Sequence, residues 1–138
     1  MRLRKNAKVD LIKSVPLFSH CSKGQLGALA AEADEIDLPE GTALTREGDR
    51  GREFMVLVEG TADVKRNGRR IARLGPGDFL GEIALISGAP RTATVTATSP
   101  VRALVLTDRS FKRVTHEMPT INASLVKALS ERLQADIV

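Results

Sequence analysis

The chain has no tryptophan, no tyrosine and only four phenylalanines in 138 residues. A surface that stacks nucleic-acid bases on aromatic rings is therefore not expected. A single cysteine, Cys21, excludes an internal disulfide and suits a reducing compartment. The only histidines are His20 and His116, both outside the stretch that reads as strands, so a metal centre built into a β-roll lacks its ligands. No serine stands in a nucleophile motif with a histidine placed to activate it, and the chain is not expected to be an enzyme. Long apolar runs are also missing. After the basic opening MRLRKNAK, the stretch VDLIKSVPLF is broken by Lys13 and Pro16, leaving neither a signal-peptide core nor a membrane span. A soluble, cytoplasmic protein is the expectation these absences leave.

What is present begins with a mild excess of positive charge, 21 basic against 17 acidic residues, or +4. Such a balance suits an anionic ligand or a polyanion without choosing between them. The length suits one domain with a single core, and three zones follow along it. Residues 1–33 read as helical: Ser22 with Gln25 three residues on is a capping-box pattern, and Leu26, Leu29, Ala30 and Ala33 recur at helical spacing. Residues 34–107 change to short apolar runs punctuated by glycine, with turns expected at Gly41, Gly48 to Gly51, Gly60, Gly68, Gly75 to Gly77 and Gly88, the spacing of an antiparallel sandwich or roll. Asn67-Gly68 supplies the two positive-φ positions of a tight hairpin between Thr61–Arg66 and Arg69–Leu74. Phe54 to Glu59 is apolar almost throughout and reads as a central strand. Ala93, Val95 and Ala97 alternate with threonines as a half-buried strand, and Val101 to Leu106 is expected to pair with it after a turn at Pro100. Residues 108–138 return to helical period, with Asp108 as N-cap and an apolar stripe of Ile121, Leu125, Val126, Leu129 and Leu133 on a second helix.

The stretch FLGEIALISGAPRTATV, residues 79–95, carries the chemistry. Gly81-Glu82 followed by IALIS reads as one helical turn whose first amides, at Ile83 and Ala84, have no partner inside the helix. Free amides and the helix dipole both favour an anion there, and Gly81 has no Cβ to keep the ligand away. Gly88-Ala89-Pro90 reverses the chain so that Arg91 can fork hydrogen bonds onto the same anion. Glu82 beside a phosphate needs a neutral donor, and on a nucleotide the adjacent one is a ribose hydroxyl. The set points to a nucleotide whose phosphate lies close to its sugar.

These residues resemble the phosphate-binding cassette of cyclic nucleotide-binding domains, as found in regulatory subunits of cAMP-dependent protein kinase, catabolite activator proteins and cyclic nucleotide-gated channels. The likeness extends through REGDRGREFMVLVEGTADV and LGPGDF and covers roughly residues 11 to 135. It implies an eight-stranded antiparallel, jelly-roll-like β-roll flanked by N- and C-terminal helices. It also implies that Gly81, Ile83 and Ala84 offer amides to a cyclic phosphate, that Glu82 accepts from the ribose 2′-hydroxyl, and that Arg91 pairs with an exocyclic phosphate oxygen. Thr92 would contact the phosphate or the purine. Gly48, Gly51 and Gly60 would be structural. Leu80 and Met55 stand where the family more often has aromatic residues, and both replacements are apolar.

The ligand implied is cAMP ahead of cGMP, with no separate cofactor and no metal. The partner implied is an effector protein, or an effector domain carried elsewhere in a longer chain, moved through the C-terminal helices. The Leu125, Leu129, Leu133 stripe reads most simply as core packing, balanced about evenly against a sharper reading in which it is the lid over the base that the resemblance implies, or the seam of a homodimer. DNA is not expected as a partner, since the roughly 30 residues after the β-region are too few for two short helices and a helix-turn-helix as well.

Overall fold

The computed structural model describes residues 4–14, 18, 21–51, 53–81, 90–117, 123 and 127. Its centre is eight antiparallel strands: β1 (Asp34–Leu38), β2 (Ala43–Thr45), β3 (Glu53–Glu59), β4 (Ala62–Arg66), β5 (Arg69–Leu74), β6 (Phe79–Leu80), β7 (Thr94–Ala97) and β8 (Val101–Thr107). They form two four-stranded sheets, ordered β1-β8-β3-β6 and β2-β7-β4-β5. Three helices accompany them: α1 (Lys5–Ser14), α2 (Lys23–Glu32) and α3 (Asp108–Glu117). None of the helices among the described residues is long and apolar enough to cross a membrane.

Two sequence patterns decide which strand goes where. In β7 the valine and alanine are buried while Thr94 and Thr96 are only partly so, as expected of a strand with one face on the core and one towards solvent. β3 and β8 are apolar on both faces because their sheet is covered twice. Met55, Leu57, Ala103 and Val105 meet Val64, Leu80 and Val95 between the sheets. Phe54, Val56, Leu104 and Leu106 face the helical layer with Ile12, Phe18, Leu26 and Leu29. Each such large side chain contributes about 1.5–3 kcal/mol by leaving water.

The same double coverage corrects one expectation. β8 does not pair with β7 after Pro100; it lies between β1 and β3 in the other sheet. A run as apolar as Val101–Leu106 gains more there, with both faces covered, than beside the half-exposed β7. The chain therefore changes sheets at residues 98–100, and it does so again between β3 and β4 at Gly60-Thr61. The two crossings are bonded to each other. Thr98 N donates to Thr61 O at 2.9 Å, and Thr61 N donates to Ser99 Oγ at 3.0 Å. Gly60, at φ +92°, lies so close to the Pro100 carbonyl that a Cβ would collide with it.

Local signals fare well. Asn67 (φ 53°) and Gly68 (φ 78°) make the β4–β5 hairpin. Ser22 Oγ accepts from Gln25 N at 3.2 Å and Gln25 Oε1 accepts from Ser22 N at 2.8 Å, closing the capping box of α2. The start of α3 shifts by one residue. Thr107 Oγ1 takes Ser110 N at 3.2 Å and acts as the cap, while Asp108 is the first helical residue and accepts from Arg109 N at 2.8 Å. An ion pair between Arg113 and Glu32 ties α3 to α2. The expected helix with Leu125, Leu129 and Leu133 lies outside the described residues.

Candidate functional site

Two posts define the site, one at the end of β6 and one ahead of β7. The first is built from the turn Gly75–Asp78, where Gly75 N donates to Asp78 Oδ2 at 2.8 Å and Asp78 N to Gly75 O at 3.0 Å. From it β6 runs antiparallel to β3, with Leu80 opposite Met55 and Phe79 opposite Val56. Gly81 follows at φ +100°, in the left-handed region that favours glycine. A Cβ at Gly81 would collide with the backbone oxygen of Glu53 and stand 2.6 Å from Arg91 Nη1. The glycine is thus what lets a guanidinium pass beside the β6 terminus.

The second post is Arg91. Its backbone is clasped by the β2–β3 loop: Arg91 N donates to Asp49 O at 2.7 Å, Gly48 N donates to Arg91 O at 2.9 Å, and Arg50 forms a β-bridge with Pro90. The next two carbonyls are held by other elements. Arg66 Nε of β4 donates to Thr92 O at 3.1 Å, and Thr45 Oγ1 of β2 donates to Ala93 O at 3.0 Å. Three successive carbonyls anchored by three elements leave this segment little freedom. The threonines of TATV were read as an outward face, and one of them also fixes the loop, since Glu47 N donates to Thr94 Oγ1 at 2.9 Å.

The Arg91 side chain turns inward and is only 7% exposed. Its Nη2 donates to the Glu53 carbonyl at 2.7 Å, with Glu53 Oε2 at 4.0 Å. A guanidinium stays charged at any ordinary pH, so burial of this one places a permanent cation with a fixed fork next to the β6 terminus. An open recess of about 220 Å³ adjoins it, lined among others by Thr45, Arg46, Asp49, Arg50 and Glu53. Three arginines, Arg46, Arg50 and Arg91, stand against the carboxylates of Asp49 and Glu53 in this lining, an excess of one positive charge that suits an anionic ligand.

Of the residues singled out from sequence, Gly81 and Arg91 are brought into contact, and Thr92, half-buried, follows directly. Glu82, Ile83 and Ala84 lie outside the described residues. The contributions of Glu53 and Arg66 were not foreseen. Glu53 acts through its backbone carbonyl, for which no side-chain signal exists. Arg66 sits beside a turn motif that already accounts for its neighbours.

A family model described as the cyclic nucleotide-binding domain matches residues 35–117. The chain belongs to the cyclic nucleotide-binding domain family. Among curated relatives, a cAMP-dependent protein kinase regulatory subunit of Mycosarcoma maydis is 33% identical over 112 residues, 75% of this chain and 21% of that protein. A cyclic nucleotide-gated potassium channel of Rhizobium etli is 34% identical over 123 residues, 89% of this chain and 34% of the channel. The chain thus spans between a fifth and about a third of the length of these relatives. Among solved structures, the regulatory domain of Toxoplasma gondii protein kinase A crystallised with cAMP superposes with a TM-score of 0.83 at 28% identity, covering 93% of this chain and 50% of that one. The catabolite activator protein of Thermus thermophilus superposes at 0.80 and 24% identity, covering 86% and 58%. The eight strands in two sheets with flanking helices are this family's architecture.

Proposed function

We propose that this domain is a receiver for a cyclic nucleotide, cAMP ahead of cGMP, bound between Arg91 and the segment that follows β6. The observation that carries this reading is the buried Arg91 guanidinium lying against Gly81, a contact that any side chain at Gly81 would block. One guanidinium edge is used on the Glu53 carbonyl, which orients the fork towards an exocyclic phosphate oxygen. Gly81, Ile83 and Ala84 offer backbone amides to the cyclic phosphate, Glu82 accepts from the ribose 2′-hydroxyl, and Thr92 contacts the phosphate or the purine. Preference for cAMP draws support from the kinase regulatory subunit among the relatives, named for its dependence on cAMP, and from the Toxoplasma domain crystallised with it.

The signal leaves through the C-terminal helices to an effector protein or an effector domain of a longer chain. A nucleotide moves those helices only by binding one arrangement of them better than another. The working unit is a single domain in which the helical segment 1–33 and the helices of 108–138 flank the β-roll of 34–107.

Calorimetric titration with cAMP and cGMP, using 5′-AMP as the open-ring control, tests the reading. Saturable binding near one cyclic nucleotide per chain with much weaker 5′-AMP is the expected result. No binding of either cyclic nucleotide overturns it. Amide exchange in residues 119–138 is expected to change on saturation, and unchanged exchange refutes the movement while leaving the binding intact.

A further inference from the structure

One of this chain's two dense runs of positive charge lies on a hairpin, the other being the opening MRLRKNAK. Residues 62–74 hold Lys65, Arg66, Arg69, Arg70 and Arg73 against Asp63 alone, a balance of +4, which equals the +4 of all 138 residues. The opening MRLRKNAK holds another four cations and no acid, and the rest of the chain sums to −4. Within the hairpin the cations face one another: Lys65 stands opposite Arg70 and Arg66 opposite Arg69. Like charges directly opposite across antiparallel strands are destabilising. Asp63 accepts from Arg73 Nε at 3.0 Å and has Arg70 Nη1 at 4.0 Å, and Lys65 and Arg69 have no anionic partner among the described residues. The Arg70 and Arg73 side chains are 56% and 58% exposed.

The hairpin also has an open edge. β5 is the terminal strand of its sheet and pairs only with β4 among the described residues. An exposed strand edge offers its backbone to any extended chain laid alongside it. Charge on such an edge can simply discourage self-association, but that purpose is met by mixed signs and does not require like charges set face to face. Ala62 and Val64 of β4 are buried, so Asp63 and Lys65 lie on the outer face, and their cross-strand partners Arg73 and Arg70 lie there with them.

We propose that the β4–β5 hairpin docks an acidic, extended segment of a partner protein. The segment adds to the free edge of β5 and sets carboxylates at alternate positions against Lys65, Arg70 and Arg73. The exposed backbone favours a protein over other polyanions, because peptide groups can continue the ladder whereas phosphodiesters and lipid headgroups cannot. The hairpin carries no aromatic side chain for base stacking. Its Asn67-Gly68 tip has no apolar side chain to enter a bilayer.

Fluorescence anisotropy with a labelled short peptide alternating Glu and Thr tests this on the full chain. A peptide of the same composition with its glutamates in one block, and duplex DNA, are the comparison probes. The alternating peptide is expected to bind, more weakly as salt rises, and to bind more tightly than the blocked one. Arg70→Glu is expected to weaken it roughly tenfold. That substitution gains Lys65 as a cross-strand partner and gives up the 4.0 Å approach to Asp63, which keeps Arg73, so the melting temperature is expected to hold, which separates lost docking from lost folding. Lys65→Glu makes the same test from the other strand, and Lys23→Glu on α2 is expected to leave affinity unchanged. No binding of the alternating peptide, equal or tighter binding of the blocked peptide or of DNA, or full affinity in both hairpin variants overturns the proposal.

Discussion

Gly81→Ala tests the site at its narrowest point. The native φ of +100° costs a non-glycine residue about 1–3 kcal/mol. The added Cβ then meets two obstacles of different kinds. One is the Glu53 carbonyl, fixed in the β3–β8 ladder where Glu53 stands opposite Thr107, so backbone must shift to make room. Forcing a methyl group into such a space costs about 1–3 kcal/mol more. The other is Arg91 Nη1 at 2.6 Å, the end of a side chain, which yields by leaving its place. The sum, about 2–6 kcal/mol, is a large part of a typical domain's 5–15 kcal/mol. In urea unfolding this corresponds to a midpoint lower by about 1–3 M at unchanged slope. Gly24→Ala is the matched control, since Gly24 lies in α2 with nothing within 4 Å of its added Cβ, and it is expected to gain about 0.4–1 kcal/mol. In an Arg91→Ala background Gly81→Ala is expected to cost less, because one of its two obstacles is gone. A Gly81→Ala protein with the wild-type midpoint would refute the reasoning, as would equal effects at Gly81 and Gly24.

Arg91→Ala removes the buried cation and is expected to weaken cyclic nucleotide binding by about 2–5 kcal/mol, or roughly 30- to 5000-fold, measured by calorimetry; near-native affinity would locate the binding energy elsewhere. Ser22→Ala opens the capping box of α2 and is expected to lower stability by about 1 kcal/mol in urea melts. Burial raises the pKa of the Cys21 thiol, so less thiolate is present at neutral pH than in the unfolded chain, and reaction with Ellman's reagent is expected to be slower in native protein than in urea. The native rate is also expected to need a higher pH to rise, and equal native and unfolded rates would contradict that shift.

Features that depend on a few adjacent residues were legible in the sequence. The Asn67-Gly68 hairpin and the Ser22/Gln25 box are of this kind, since φ preference and a three-residue reach determine them. Choosing between Thr107 and Asp108 as the cap of α3 was not, because both side chains can accept and only the backbone path decides which one does. Sheet membership was harder still. Nothing local distinguishes a strand that returns beside β7 from one that crosses to the other sheet, although the apolar character of Val101–Leu106 on both faces, compared with the threonines of β7, carried the answer. In the site, Gly81 and Arg91 were readable as a pair ten residues apart, whereas Glu53 was invisible because it serves through a carbonyl that every residue has.

The anchoring of residues 91–93 has a consequence for how the site works. Gly48, Arg66 and Thr45 hold three successive carbonyls from three elements, so the backbone from which the Arg91 side chain departs is fixed. On the reading proposed above, ligand discrimination then comes from whether a phosphate meets a guanidinium that reaches out from a backbone already set. Arg91 leans on Glu53, and the neighbouring Phe54 points to the opposite face of β3, where its ring meets Phe18 at 6.2 Å and Phe79 at 5.9 Å. Strand β3 therefore has the Arg91 contact on one residue and the helical layer on the next. That adjacency gives the site a physical connection to α1 and α2 through Ile12 and Leu29 of the same core, and to α3 through the Arg113–Glu32 pair, without any chain of contacts running through the second sheet.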